Sequence, residues 1–434
     1  MFAYYFNLAL RSFRRNKALT ALMVLAIALG IGASMTTLTV YTVLSGDPIP
    51  GKSDRLFLVQ LDPEPVATQV SGDEPMDLLT RYDAEELLRQ ARGLRQAMMV
   101  GGRAIIEPEA STLKPFVDQA RYTSADFFPM FQAPFLHGQA WTGSDDDARA
   151  RVVVISKALN DRLFGGADSS GRQLRIDGSA LRVVGVLDDW SPSPKFYDLN
   201  TGAYGGEEHV FIPFATAMDL ELATSGTTNC YGSDPVNDTR EASAPCTWIQ
   251  YWVELENAAR ARDYRAYLEN YSAEQKAAGR YQREPNIRLR DVMAWLDFRQ
   301  VVPGDVRLQM WLALGFLLVC LLNTVGLLLA KFLRRGGEIG VRRALGASRR
   351  DIFTQCLVEA GTVGLAGGVL GLGLAQLGLW AVRQRPSGYA ELAHLDGSML
   401  LATFALALVA SLLAGLLPAW RAMQITPAVQ LKSQ

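Results

Sequence analysis

Hydrophobic positions along this chain follow two regimes. Four runs are almost continuously apolar, whereas the long stretch between the first two alternates as water-soluble domains do. The apolar runs cover 18–44, 310–330, 352–382 and 399–417. Each reaches the roughly 20 residues that a helix needs to cross a bilayer. The first has no ionisable group except Tyr41, and the second has Asn323 and Thr324 as its main polar residues. These two are expected to bond across helices. The third run is glycine-rich with Glu359 near its start, and the fourth is bounded by Asp396 and Pro418. In the third, Gly364–Gly368 and Gly367–Gly371 repeat the G-x-x-x-G spacing that permits close helix approach. Polar residues inside the spans are sparse, so no charged translocation path is evident. Glu359 is expected near the membrane interface, bonding neighbouring groups.

The stretch between the first two spans reads as a folded domain. Residues 55–61, 151–155 and 248–256 have strand composition, and 156–164 and 261–280 suit helices, the latter with Tyr264, Tyr267, Leu268 and Tyr271 at helical spacing. Residues 173–176 and 181–187 flank Asp177-Gly178 as a hairpin with a slightly long loop. Residues 188–246 are rich in Gly, Ser, Asn and Pro and read as an irregular insertion or second lobe. About 260 residues suffice for a separate core. The predicted fold is an α-helical membrane protein with four transmembrane helices and a large α+β extracytoplasmic domain inserted between helices 1 and 2. The divisions are a cytoplasmic amphipathic lead (1–17), helix 1 (18–45), the periplasmic domain (46–306), helix 2 (307–333), a cytoplasmic segment (334–351), helix 3 (352–382), a short periplasmic loop (383–398), helix 4 (399–417) and a cytoplasmic tail (418–434).

Charge placement sets the orientation. Arg11, Arg14, Arg15 and Lys17 precede the first span, and seven Lys or Arg residues lie between spans two and three. The loop between spans three and four holds only Arg383 and Arg385, offset by Glu391 and Asp396. Basic residues in short loops mark the cytoplasmic side, so both termini are expected there and 46–306 outside. The first apolar run is about twice the length of a cleavable signal core, which favours a retained anchor. Taken whole, the chain has 43 Lys plus Arg against 44 Asp plus Glu, net −1, without the basic field of a nucleic-acid binder. His137, His209 and His394 are widely separated, so no metal site is expected, and no catalytic dyad is apparent. Cys230 and Cys246 fall in the exported domain, where an oxidising compartment favours a disulfide. Cys320 and Cys356, in or beside spans, read as small buried hydrophobes.

Two segments invite functional readings. Residues 46–53 spell the phosphate-loop pattern G-x-x-x-x-G-K-[ST]. That motif works between a buried strand and a helix, where successive amides hold phosphate. Here it follows a membrane span, precedes a strand-like run, and loses two amide donors to Pro48 and Pro50. It reads as a proline-stiffened connector. The second segment, 334–353, is arginine-rich, with a short amphipathic stretch over 338–345, Gly346 to end it, and a Ser348–Asp351 capping box opening the next helix. Its arginines suit lipid phosphates or a cytoplasmic protein equally well.

The run EIGVRRALGASRRDIFTQCLVEA resembles the segment between the second and third spans of FtsX/MacB-type ABC transporter permeases. LLNTVGLLLAKFLRR is similar to that family's second span, ALRSFRRNKALTALMVLAIALGIG to its first, and LLPAWRAMQITPAVQLK to its C-terminal end, with Gln430 at the usual alanine of the tail. In the exported domain, TSADFFPMF and the spaced RVVVIS, LFGG and RVVGVL runs resemble a MacB-like periplasmic core domain. The resemblance implies a bacterial inner-membrane protein that pairs as a homo- or heterodimer and binds two copies of a cytoplasmic ABC ATPase. ATPase movement would enter through Glu338, Ile339, Arg342, Arg343, Leu345 and Ser348, while Asn323, Gly364 and Gly368 pack the membrane helices. Work would then be done on a substrate outside the membrane, by mechanotransmission, with a periplasmic adaptor and outer-membrane duct as further partners. The MacB branch carries an ATPase domain ahead of its first span. This sequence starts almost directly with the span, so a separate ATPase subunit is expected to bind ATP and Mg, as in the LolC/LolE type, and the chain itself needs no cofactor. The alternative within the family is an FtsX-like regulator that transmits ATPase cycles to a periplasmic partner.

Overall fold

A computed structural model describes residues 5, 8–9, 11–13, 17–68, 73–108, 113–231, 236–384 and 397–424. Arg14, Arg15, Arg385, Glu391, His394, Asp396 and Gln430 lie outside these, as do most of the loop after the third span and the tail. The chain divides into two compact units, Gly46–Val301 and the remainder on either side of it in sequence.

After helix α1 (Lys17–Ser45) the chain enters the α+β unit. Its elements are β1 (Leu56–Gln60), β2 (Leu79–Thr80), α2 (Arg81–Gln90), β3 (Arg95–Glu107), β4 (Phe116–Thr123), α3 (Phe127–Met130), β5 (Phe135–Gly138) and α4 (Gly143–Asp147). Then come β6 (Val152–Ile155), α5 (Lys157–Phe164), β7 (Gln173–Ile176), β8 (Ser179–Leu187), β9 (Val210–Pro213), α6 (Phe214–Asp219), β10 (Thr224–Ser225) and β11 (Asn229–Cys230). The unit closes with β12 (Cys246–Glu254), α7 (Ala258–Ala277), β13 (Arg288–Asp291) and α8 (Val292–Phe298).

The strands form one mixed sheet whose main path runs β13-β1-β12-β3-β4-β9-β6-β8-β5. Only β4–β9 and β6–β8 are parallel among its pairs. Side chains alternate across it, as the two-residue period of a strand requires. Val153 and Ile155 enter one apolar core, and Val152 and Val154 the other. Helix starts are chemically marked. Ser156 Oγ accepts the Leu159 amide at 3.2 Å, and Asn257 Oδ1 accepts those of Ala259 and Arg260 at 3.0 and 3.1 Å.

Two expectations are corrected in this unit. The Asp177-Gly178 hairpin has no extra loop: β8 starts at Ser179, and both turn residues take positive φ, 47° and 76°. That is the conformation a tight two-residue hairpin demands. The described residues of 188–246 are irregular over 188–209, as expected, but they form no second lobe and are built into the main sheet. Within them, β9 lies between β4 and β6 in the sheet, and Phe196, Tyr197 and Phe211 are buried in its core.

Cys230 and Cys246 face each other directly across β11 and β12 and are joined by a disulfide. The aromatic core on that unit's second face centres on Phe127. Its ring meets Phe128, Phe131, Trp190 and Tyr197 edge-on at centroid distances of 5.0–5.7 Å. The TSADFFPMF run therefore has a packing reason.

The second unit continues with α9 (Gly304–Arg334), the short α10 (Gly336–Ala344), α11 (Arg349–Arg383) and α12 (Gly397–Met423). Helices α1, α9, α11 and α12 are long and apolar enough to cross a membrane. Helix α12 does not stop at Pro418 but carries it internally. Gly415, one turn earlier, leaves room for α11, since a Cβ there would lie 2.4 Å from Ala360 Cβ. Exposed Trp311, Trp380 and Trp420 sit near span ends, the depth that tryptophan favours at a bilayer interface.

The two G-x-x-x-G spacings of α11 serve different neighbours. A Cβ on Gly364 or Gly368 would come within 2.0 Å of Ser411 Oγ or 2.8 Å of Ala407 Cβ, both on α12. On Gly367 or Gly371 it would run into Ile27 or Ile31 of α1, at 2.6 and 3.1 Å. Among the described residues, neither Asn323 nor Thr324 bonds across helices. Thr324 donates back to Cys320 O at 2.8 Å in its own helix, while Asn323 is exposed in a groove beside Leu22, Ala26 and Gly326.

Candidate functional site

The arginine-rich segment folds as α10, a helix of nine residues between the second and third spans. Arg335 alone separates it from α9, with φ −97° and ψ 12°. Its far end is a hydrogen-bonded stop: Gly346 N donates to Arg343 O at 3.2 Å and Ala347 N to Arg342 O at 3.0 Å. This is a Schellman arrangement, and Gly346 takes the left-handed φ of 102° that it calls for. Ser348 then caps α11. Its hydroxyl accepts the Asp351 amide at 3.2 Å, and the Asp351 carboxylate accepts the Ser348 amide at 3.0 Å. The Ser348 hydroxyl also donates to the Asp351 carboxylate at 2.6 Å.

Helix α10 has an inner and an outer face, and the predicted residues divide between them. Ile339 points inward, packed in the apolar core shared with Phe332 and Ile352. Val341 and Leu345 point outward, Leu345 being 84% exposed. Arg342 donates to Gln355 Oε1 at 2.9 Å and Arg343 to Met423 O at 3.4 Å, tying the helix to α11 and to the end of α12. Glu338 lies against Arg335 at 3.2 Å and Arg342 at 3.6 Å. Thus Ile339 anchors the helix and Ser348 caps its neighbour, while Leu345, with the unpredicted Val341, forms the apolar surface open to a partner.

Beside α10 lies a cluster of buried charges that the sequence did not assemble. Glu359 of α11 meets Lys331 Nζ at 2.7 Å and Arg335 at 3.1 Å. The Lys331 and Glu359 side chains are 0% and 3% exposed. Ser12 donates to Glu359 and accepts from Arg335. The i, i+4 spacing of Lys331 and Arg335 on consecutive turns was legible, but their partner 24–28 residues away was not.

The phosphate-loop look-alike has another use. Lys52 is buried, donating to Pro129 O and Met130 O at 3.1 and 2.8 Å and pairing with Glu254 at 3.0 Å. Ser53 donates to Ile49 O at 3.0 Å and also bonds Asp47. A strand, β1, follows in place of a helix. The lysine charge is spent inside the domain, so the motif is a structural clamp.

The α+β unit has its own buried ion set, also missed from sequence. Arg121 on β4 pairs with Asp198 at 2.6 Å and with Glu208, and Lys195 reaches Glu208 at 3.3 Å. Burial opposes the charge on Arg121, yet Glu208 and Asp198 outweigh it and raise its pKa. The set fastens 195–208 onto the sheet.

Four apolar helices, one short basic helix between the second and third, and an α+β domain inserted in sequence after the first describe a membrane permease. A family model for the MacB-like periplasmic core domain matches residues 20–271, and one for the FtsX-like permease C-terminal region matches 310–427. The chain belongs to this MacB-like, FtsX-type family of ABC transporter permeases.

It is 25% identical over 431 residues to the pyoverdine export ATP-binding/permease protein PvdT of Pseudomonas aeruginosa, covering 96% of this chain and 57% of that protein. It is also 25% identical over 313 residues to the macrolide export ATP-binding/permease protein MacB of Wolinella succinogenes, covering 72% and 43%. The chain thus spans about half the length of the curated relatives it matches. The crystal structure of the periplasmic region of MacB from Actinobacillus actinomycetemcomitans aligns with a TM-score of 0.38 at 12% identity, covering 61% of this chain and 98% of that one.

Proposed function

We propose that the chain is the permease of an exporter working by mechanotransmission, driven by ABC ATPase domains on the cytoplasmic side, in a bacterial inner membrane. The observation that carries this reading is α10: a short helix, capped and tied to neighbouring spans, with Val341 and exposed Leu345 on its outer face. An ATPase binding two copies of this surface in a paired permease could push on the spans without any pore between them. Lys/Arg placement supports cytoplasmic termini and an α+β unit outside, and the Cys230–Cys246 bond suits an oxidising compartment. ATP and Mg would be handled outside these residues, since Lys52 is already committed to Glu254. The exporter names of PvdT and MacB support cargo export over an FtsX-like regulatory role.

Leu345→Asp puts a charge at the centre of the proposed ATPase contact. In a pull-down from mild detergent, its cognate ATPase should no longer co-purify. Full-yield co-purification with unchanged stimulation of ATP hydrolysis would overturn the assignment.

A further inference from the structure

We infer that Arg335 and Glu359 form an ionic latch through which movement of α10 reaches the third span and the residues ahead of the first. They are positioning residues for coupling, and the inference rests on α10 being the entry point for ATPase movement.

The geometry puts one guanidinium at a junction. Arg335 is the single residue between α9 and α10, and its backbone is non-helical. One edge of its side chain forks onto Glu338 of α10, with Nε and Nη2 at 3.2 and 3.3 Å from the two carboxylate oxygens. The remaining nitrogen reaches Glu359 of α11 at 3.1 Å and Ser12 at 3.2 Å. A rigid planar fork cannot keep both carboxylates if α10 swings about this residue. Movement of α10 must therefore release Glu338, drag Glu359, or break the contact with Ser12.

Lys331 extends the latch. Its ammonium meets Glu359 at 2.7 Å, donates to Thr20 of α1 at 3.4 Å, and lies 5.5 Å from the Phe13 ring centroid. Residues before α1, α1 itself, α9, α10 and α11 thus share one connected set of charges, Lys331 and Arg335 with Glu338 and Glu359, to which Arg342 adds a contact of 3.6 Å with Glu338. Apolar side chains of similar volume commonly hold such a place at no loss of stability. A linkage with two discrete arrangements, by contrast, needs bonds that can exchange, and ionic pairs supply them.

The test uses the full chain reconstituted with its cognate ATPase in lipid nanodiscs. ATPase co-purification and permease-stimulated ATP hydrolysis are both measured. Glu359→Gln should keep the ATPase bound at wild-type yield and lower stimulation by about tenfold. Glu359→Asp should restore most of it. Combining Glu359→Gln with Arg335→Gln should be no worse than either alone. Wild-type stimulation in Glu359→Gln overturns the latch, as does a double variant whose losses multiply. A lower melting temperature with unchanged stimulation per bound ATPase overturns it too, because that is a purely structural role. If the glutamine variant does not fold, Lys331→Met with Glu359→Met keeps the packing, should remain folded, and should be uncoupled. Wild-type stimulation there again overturns the latch. Failure of the α10 reading shows separately, as Leu345→Asp that still binds and stimulates.

Discussion

The interior contacts that distinguish the two units use opposite ends of the residue scale. In the α+β unit they are made by the largest side chains: Trp252, fully buried, donates to Tyr197 O at 3.1 Å and meets the Phe196 ring edge-on at 5.5 Å. In the helix unit they are made by residues without side chains, such as Gly364 against Ser411 and Gly415 against Ala360. The difference follows from solvent. Water rewards each apolar area removed from it, so bulk is an asset in the domain. Lipid offers no such reward, and helices there associate through close van der Waals fit.

The sharpest way to break this contrast is Trp252→Ala. Emptying that site should destabilise the α+β unit by about 3–5 kcal/mol, read as a lower thermal transition in tryptophan-quenched or near-ultraviolet dichroism melts of the full chain. A loss as small as that of an exposed residue would mean the domain is not held by its aromatic core.

The second prediction concerns pH, which should touch only the water-facing unit strongly. Asp146 accepts from the Ala125 amide and the Trp141 indole, both at 2.8 Å. Burial pushes its carboxyl up to about 6, against those stabilising bonds. The folded state therefore holds this proton more tightly than the unfolded chain does. Its contribution is fully present below the ordinary aspartate range and is lost as pH rises from about 4 through 6, by roughly 2–3 kcal/mol. The melting temperature of the α+β unit should fall across that window, and Asp146→Asn should flatten the slope. An equal slope in the variant would refute the assignment.

The smallest effect is the most discriminating for the spans. Gly364→Ala should cost about 1–3 kcal/mol through overpacking against Ser411, whereas Gly373→Ala, with nothing in reach of a new Cβ, should be neutral or stabilise by about 0.5–1 kcal/mol through helix entropy. Thermal aggregation in detergent would rank the two. If they rank alike, close approach is not what the glycines provide.

Spans, the short basic helix and its stop at Gly346 were legible because each rests on local chemistry: apolar length, a capping pair, a left-handed glycine. What was not legible depends on partners distant in sequence. Strand β3 hides behind Gly101-Gly102, which looks like a break. In the fold, a Cβ on Gly102 would lie 2.3 Å from the Tyr122 ring, so the glycine makes room for a neighbour's side chain. Arg121 looks like a surface charge until Asp198 and Glu208 arrive from more than 70 residues away. At the candidate site, the family resemblance grouped Ile339 with Leu345 as residues through which ATPase movement enters. The helix buries the first in a core and exposes the second, because six residues are not a whole number of turns.

The bond between Cys230 and Cys246 makes a closed ring of the chain between them, and Glu241, Ala242 and Ser243 lie exposed on that ring. A single cut there would leave the protein one covalent piece, with its halves still tethered across β11 and β12. On a gel the nicked chain would run intact until reductant was added, and then as two fragments. The ring thus records the compartment in which the domain matured, since a chain kept reduced would separate on the first cut.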